Sequence, residues 1–491
     1  MKNAVVYFRK IMNYKYQIIF IFIFILPNML QCQKTTKNWL FFNQLRFEFI
    51  EGTAKFNFNS PSLAEDDRTT VFSHPQTGEL LLYFDGINLW SGNELNLVKE
   101  NIKIGSGLRQ TSLILPLNES FDSFYLFTCQ TNFDDNGLLI SSDITYSYIS
   151  RTDDSYSIDS LNLELESNVS PNVTAYPITS GNGFWLLLHS FSGNDFIIYQ
   201  VNSDGVFFHD KQSKGFSIPD STQNRTGTLN FSPNGKYIVN THWSSDNSYR
   251  PPIDLLSFNA EEGSLGTYYP LNKFLFQYVA TFSPDSKKLY VSVFDSSANK
   301  ELHFIQYSLE DILTKESYTF NQVEVSTIDG YVPFFVNKHL QTGLDGRLYF
   351  SGNNTNRLYR IDNPNESIEN LRFSYITYPD NGFNFKAFPN FMQYEFEGLT
   401  TSDNPILNCS EASMYIIYPN PTSGVVNIKI SETCFKPFNL TLVSANGQVI
   451  FKDMKFQTSQ SFLKLPDNAS GVYFLIFNNG VKVITKKIVI I

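Results

Sequence analysis

Six histidines, at positions 74, 189, 209, 242, 303 and 339, are the side chains of this 491-residue sequence best suited to moving protons at neutral pH. None stands at ligand or nucleophile spacing from another. There is no His-Glu-x-x-His, no Gly-x-Ser-x-Gly, no Gly-x-x-x-x-Gly-Lys and no Cys-x-x-Cys. Joint chemistry must therefore be assembled by the fold, and a lone histidine at a strand end, such as His189, reads as a hydrogen-bonded structural residue. One loop has the oxygen spacing of a calcium site: Asn132, Asp134 and Asn136 alternate, Gly137 follows, and Asp143 stands where a bidentate carboxylate closes such a loop. An Asn-Gly hairpin turn uses the same residues, so calcium and a plain turn both remain open. Trp90, Trp243 and Tyr249 are aromatics that could stack on a sugar or peptide, with blade packing as the alternative. His242 and Trp243 lead this group, because His242 to Asn247 reads as a loop after the strand Tyr237 to Asn240.

The elements that must position these residues are strands. Aromatics make up 16% of the chain and charges only 17%. β-branched and aromatic runs recur between Gly, Asn, Asp and Pro clusters, and the best helix candidate, Leu309 to Thr314, spans under two turns. The class is all-β. A net charge of −10 disfavours a phosphate-binding surface, hence nucleic acid, as the main business of the chain. One phrase repeats at roughly fifty residues, the length of a propeller blade. Phe231-Ser232-Pro233-Asn234-Gly235 and Phe282-Ser283-Pro284-Asp285-Ser286 are near copies, and Gly343-Leu344-Asp345-Gly346 and Ser73-His74-Pro75-Gln76-Thr77-Gly78 are looser ones. Each reads as a strand, a tight turn and a second strand. The sequence thus predicts a β-propeller of seven blades, six or eight being the neighbouring options, over residues 38–397. Stacked sandwiches would not explain the recurring turn.

The end of the chain differs in charge and pattern. Residues 412–491 hold eight lysines against Glu432, Asp453 and Asp467, which marks a boundary after a linker at 398–411. Strands are expected at Val425 to Ile430, at Leu440 to Val443 and Val449 to Phe451 around Asn446-Gly447, and at Val472 to Phe477 before a last strand. Together they make a small immunoglobulin-like β-sandwich. Its Pro419-Asn420-Pro421 lead-in with Gly424, then Gly447, then Gly471-Val472-Tyr473, and the closing Lys486-Lys487 before an apolar finish, resemble the C-terminal sorting domain of the type IX secretion system. That resemblance implies the secretion machinery as partner and a secreted or outer-membrane-surface destination. Lys2, Arg9, Lys10 and Lys15 precede the apolar run Ile18 to Leu26, as in a secretory leader spanning 1–32. Cleavage is expected after Cys32, with a lipidated Cys32 as the alternative. No later segment is apolar for long enough to span a membrane as a helix. A Cys409–Cys434 disulfide would pin the linker to the tail, while Cys129 reads as a buried thiol.

A second resemblance covers residues 38–393. Asn38-Trp39-Leu40-Phe41-Phe42, the repeated turns and Phe388-Pro389-Asn390-Phe391 are similar to propeller domains of type IX cargo proteins, although the usual glycine after the aromatic pair is missing and Ala387 replaces a Gly-Leu. This implies architecture and setting but no reaction. The reading favoured here is a recognition protein for a glycan or protein ligand, more an adhesin than an enzyme. The rival is a secreted hydrolase or lyase acting on polysaccharide or peptide. Histidines and carboxylates converging in the ring's channel would favour the rival, and a plugged channel would favour binding.

Overall fold

The computed structural model describes residues 34–41, 45–50, 53–57, 69–102, 110–179, 182–220, 226–243, 251–273, 276–295, 301–315, 321–324, 336–352, 357–377, 388–399, 415–418, 420–430, 438–456, 460–466, 469–478 and 483–490. The expected leader, Tyr249, Pro419, Cys409 and Cys434 lie outside the described residues. The chain divides into two compact units, one of residues 1–50 and 54–401, the other of 51–53 and 402–491.

In the first unit the strands form short antiparallel sheets in chain order. A three-stranded sheet comprises β1 (Asn38–Phe41), β2 (Leu45–Ile50) and β3 (Thr53–Asn57). Six four-stranded sheets follow. They are β4 to β7 (Thr70–Ser73, Leu80–Phe84, Leu89–Ser91, Asn96–Lys99), β8 to β11 (Ser112–Pro116, Ser123–Phe133, Leu139–Thr152, Ser155–Val169) and β12 to β15 (Thr174–Pro177, Phe184–His189, Gly193–Asn202, Gly205–Ile218). Then come β16 to β19 (Leu229–Phe231, Tyr237–Asn240, Pro252–Asn259, Ser264–Lys273), β20 to β23 (Phe276–Phe282, Lys288–Asp295, Glu301–Ser308, Asn321–Glu324) and β24 to β27 (Val336–Thr342, Leu348–Gly352, Arg357–Ile361, Phe373–Thr377). The one α-helix among the described residues, α1 (Leu309–Thr314), begins on the Ser308 hydroxyl, which accepts from the Asp311 amide.

The repeated phrase takes the same place in four sheets, joining the first strand to the second. Ser232 N–H donates to the Tyr237 carbonyl at 2.8 Å and Gly235 N–H to the Ser232 carbonyl at 2.9 Å. Ser283 and Ser286 repeat the pattern at 2.9 and 2.8 Å. In both turns the serine hydroxyl also bonds the following Asx side chain, at 2.8 and 2.6 Å, which satisfies the turn from within. The last turn residue needs positive φ, met by Gly235 at 67° and, at some steric cost, by Ser286 at 57°.

Alternation along each strand buries one row of side chains against each neighbouring sheet. Leu82 and Ile114 share a core, as do Leu113 and Ala175, Leu187 and Phe231, Val239 and Ala280, and Tyr290 and Phe350. The last sheet returns to the first through an aromatic cluster. Trp39 is fully buried, with ring centroids 5.4 Å from Phe49 and Phe388 and 5.5 Å from Phe47 and Tyr349. Such contacts contribute about 0.5–1.5 kcal/mol each beyond area burial. They close the array where the glycine of the resemblance is missing, so the unit is an all-β, propeller-like ring.

Residues 388–399 run through the interior of that ring. Asn390 N–H donates to Thr69 O at 2.9 Å, and its side-chain amide donates to Ser112 O at 2.9 Å and Val173 O at 3.0 Å, bridging the starts of three first strands. Farther on, Tyr394 meets Tyr176, and Gly398 N–H reaches the Pro284 carbonyl at 3.1 Å. Between them Glu395 is buried in a short 3-10 turn, Gln393–Phe396, and accepts from the Thr35 hydroxyl. The channel is therefore filled.

The second unit has a three-stranded sheet, β28-β29-β32, and a four-stranded sheet, β31-β30-β33-β34. The strands are β28 (Tyr415–Tyr418), β29 (Val425–Ile430), β30 (Phe438–Ser444), β31 (Val449–Phe456), β32 (Gln460–Lys464), β33 (Gly471–Asn478) and β34 (Val483–Ile490). Val426, Ile428, Leu440, Leu475 and Ile488 belong to one core between these sheets, separate from those of the ring.

Candidate functional site

The richest polar cluster joins two neighbouring sheets of the ring, β12 to β15 and β16 to β19. His189 ends β13, Asn240 ends β17, His242 follows two residues later, and Asp254 lies early in β18 opposite Asn240. His242 Nε2 and Asp254 Oδ2 are 2.8 Å apart. Since a carboxylate only accepts, the imidazole proton lies on Nε2. Asp254 is fully buried and oriented by the Tyr268 hydroxyl at 2.7 Å and the Phe216 amide at 3.2 Å from both oxygens. Gly215 permits this approach: a Cβ there would stand 2.8 Å from Asp254 Oδ2, and its φ is 84°.

The second imidazole is 6.0 Å away between ring centroids. His189 Nδ1 faces the Ser190 carbonyl at 2.8 Å, so it carries the proton and Nε2 keeps its lone pair. Burial, and then the neighbouring His242, push the His189 pKa down to about 4, which makes it a neutral imidazole at physiological pH. Both histidines line a cavity of about 10 Å³ together with Ser170, Phe191, Thr226 and Asn240. His189 Nε2, Asn240 Nδ2 and Thr226 Oγ1 are buried and have no protein partner.

Other candidates are placed differently. His242 is buried at 6% exposure rather than displayed on a loop, because its ring is drawn in to pair with Asp254. Trp243 extends the structure through backbone bonds to Thr226 at 2.6 and 3.0 Å and is half-buried. The Trp90 indole N–H donates to buried Asp85 at 2.8 Å and its ring packs on the aromatic cluster around Trp39, so it serves blade packing. In the loop read for calcium, Asp134 Oδ1 accepts from the Asn136 and Leu138 amides at 2.9 and 2.8 Å, and Asp143 accepts from Asn132 Nδ2 at 3.0 Å and Asn168 N–H at 3.1 Å. These oxygens complete a hairpin between β9 and β10. Among the described residues no group of three or more His, Cys, Asp or Glu side chains could hold a metal ion.

In the tail, the motif residues meet at β34. Asn420 uses both ends of its amide on that strand, donating to Lys487 O at 3.0 Å and accepting from Val489 N–H at 2.8 Å, while Thr422 bridges to Ile490. Pro421 stands between these two anchors, so the lead-in is laid along the last strand. Gly424, Gly447 and Gly471 have φ of 154°, 87° and 107°, and Gly447 closes the β30–β31 turn onto Ser444 O at 2.9 Å. Tyr473 packs at the core margin, and Lys487 is exposed beside a half-exposed Lys486.

No curated protein matches the chain in sequence. Among solved structures, a Bacteroides uniformis protein assigned as a 6-phosphogluconolactonase is 16% identical, with 68% of this chain and 92% of that one covered at a TM-score of 0.43. The periplasmic gluconolactonase of Pseudomonas aeruginosa is 12% identical, with 79% and 95% covered at 0.34. An exo-β-1,3-galactanase of Phanerochaete chrysosporium is 9% identical, with 87% and 96% covered at 0.28. Two histidines and a carboxylate converge beside the filled channel rather than in it, and this acid–base pairing corrects the expectation that the chain is more likely not an enzyme. Residues 416–491 match the family described as the secretion system C-terminal sorting domain. No helix among the described residues is long and apolar enough to cross a membrane. The chain is a secreted, propeller-like protein whose C-terminal sorting domain addresses it to the type IX secretion machinery and so to the cell surface or medium.

Proposed function

We propose that the exported ring is a hydrolase or lyase acting on polysaccharide or peptide, with His242 as its proton carrier. In this reading the ring is a seven-bladed propeller over residues 38–397, preceded by a leader at 1–32. A linker at 398–411 joins it to an immunoglobulin-like sandwich at 412–491. The observation that carries the proposal is the pairing of His242 with an Asp254 that two further donors hold in place. A fixed buried carboxylate orients the imidazole and stabilises the imidazolium that forms when it takes a proton. His242 thus accepts a proton from an attacking or departing O–H or N–H group and returns it to the leaving atom. His189, kept neutral, avoids a second positive charge beside that imidazolium.

The test is turnover by protein purified from the culture medium, on panels of polysaccharides, sugar lactones and peptides. Replacing His242→Gln or Asp254→Asn is expected to lower kcat about 10²–10⁴-fold, the usual worth of a general acid–base. Ligand binding without turnover, retained in full by His242→Gln, would overturn the assignment.

A further inference from the structure

The same cavity has a composition that names what fits it. Its volume of about 10 Å³ matches one water-sized group, and a buried group of that size needs two to four polar partners. His189 Nε2 is an acceptor, Asn240 Nδ2 a donor, and Thr226 Oγ1 either. His189 and Asn240 are 1% and 3% exposed, so their unmatched polar atoms carry an uncompensated desolvation cost. An ammonium has no acceptor lone pair for Asn240, a carboxylate has no proton for His189, and carboxylate and phosphate both exceed the volume. A single hydroxyl oxygen meets every requirement: it donates to His189 and accepts from Asn240, with Thr226 taking the remaining place.

We infer that this cavity is a hydroxyl-binding site beside the His242–Asp254 pair, occupied by a water or by one hydroxyl of a saccharide substrate. Its role in turnover rests on the function proposed above, but occupancy does not. With His189 neutral, its Nε2 lone pair is free to accept the proton of that hydroxyl.

Two measurements on the full chain decide the matter. A crystal structure at high resolution is expected to show one oxygen within hydrogen-bond distance of His189 Nε2 and Asn240 Nδ2. Soaking with glucose, galactose or N-acetylglucosamine separates the sources: an oxygen unchanged by every sugar is water, and one replaced by a sugar hydroxyl is a substrate subsite. In parallel, ¹⁵N-histidine NMR should find His189 as the Nδ1–H tautomer at pH 7, with Nε2 bonded as an acceptor. The double variant Thr226→Val/Asn240→Leu should remove that bond while leaving the tautomer. A dry cavity, or a proton on His189 Nε2, overturns the site whatever the turnover assays show. Absence of turnover with the oxygen in place overturns the enzyme reading alone.

Discussion

The hairpin at Asn132–Asp143 and the cavity at His189 hold similar inventories of polar atoms, yet they differ in what is left over. In the hairpin, Asp134 accepts from two amides of its own turn and Asp143 from Asn132 and from Asn168 of β11, so both carboxylates are matched by protein. In the cavity, the pairing of His242 with Asp254 is complete, but three buried atoms around it are not matched by protein. Polar residues that satisfy one another explain a fold, whereas residues that remain unsatisfied after folding point outward to a ligand.

The contrast predicts unequal costs. Asp254→Ala removes the buried acceptor of His242, Tyr268 and Phe216 and should destabilise the ring by about 1–3 kcal/mol for each donor left unmatched. Urea unfolding of the full chain measures this; a loss as small as that of an exposed turn residue would erase the distinction between the two regions.

Acid sharpens it further. The His189 pKa of about 4 lies below the ordinary value of 6.5, so the unfolded chain binds the proton first and stability rises with pH across that interval. Its contribution is intact above about pH 6.5 and is lost as pH falls toward 4, by about 3 kcal/mol in all. Glu395 works the other way. Burial raises its pKa from 4.5 to about 7, so the folded chain holds the proton longer and stability falls as pH climbs through that range. Melting temperature should therefore vary little between pH 5 and 6.5 in the native protein. His189→Phe should expose the Glu395 slope, falling with pH, and Glu395→Gln the opposite one. Parallel curves for all three would show that neither group is buried as described.

The smallest effect belongs to the hairpin. Asp134→Ala should cost about 0.5–1.5 kcal/mol, the worth of ordinary hydrogen bonds, and millimolar calcium should not move the melting temperature of the native chain. A rise of several degrees with calcium would restore the metal reading.

Much of the fold was legible because its signals are local. The two Ser-Pro-Asx turns and their two looser copies declare themselves within a few residues, and all four took the same place in four sheets. The strand Val425–Ile430 and the helix Leu309–Thr314 have the bounds their patterns imply. The tail motif was legible for the same reason. The cavity was not, because its members come from β13, β17 and β18, and no short pattern links them. One signal was available: His189 and His242 lie about one repeat apart, each at or just past the end of a second strand, so the turn period also brings the histidines together. Asp254 gave no such sign. It is an acid in a largely apolar strand, Pro252–Asn259, and its importance comes from Tyr268 and Phe216, which only tertiary packing brings to it.

The stretch from Phe388 to Leu399 has a further consequence for how the protein is delivered. Because it threads the middle of the ring and is the last part of it to be synthesised, the blades must gather around an axle that arrives after them. A cut downstream of Leu399 would leave the axle's contacts in place. A cut upstream of Asn390 would withdraw the axle and leave the three strand starts that Asn390 ties together with nothing between them.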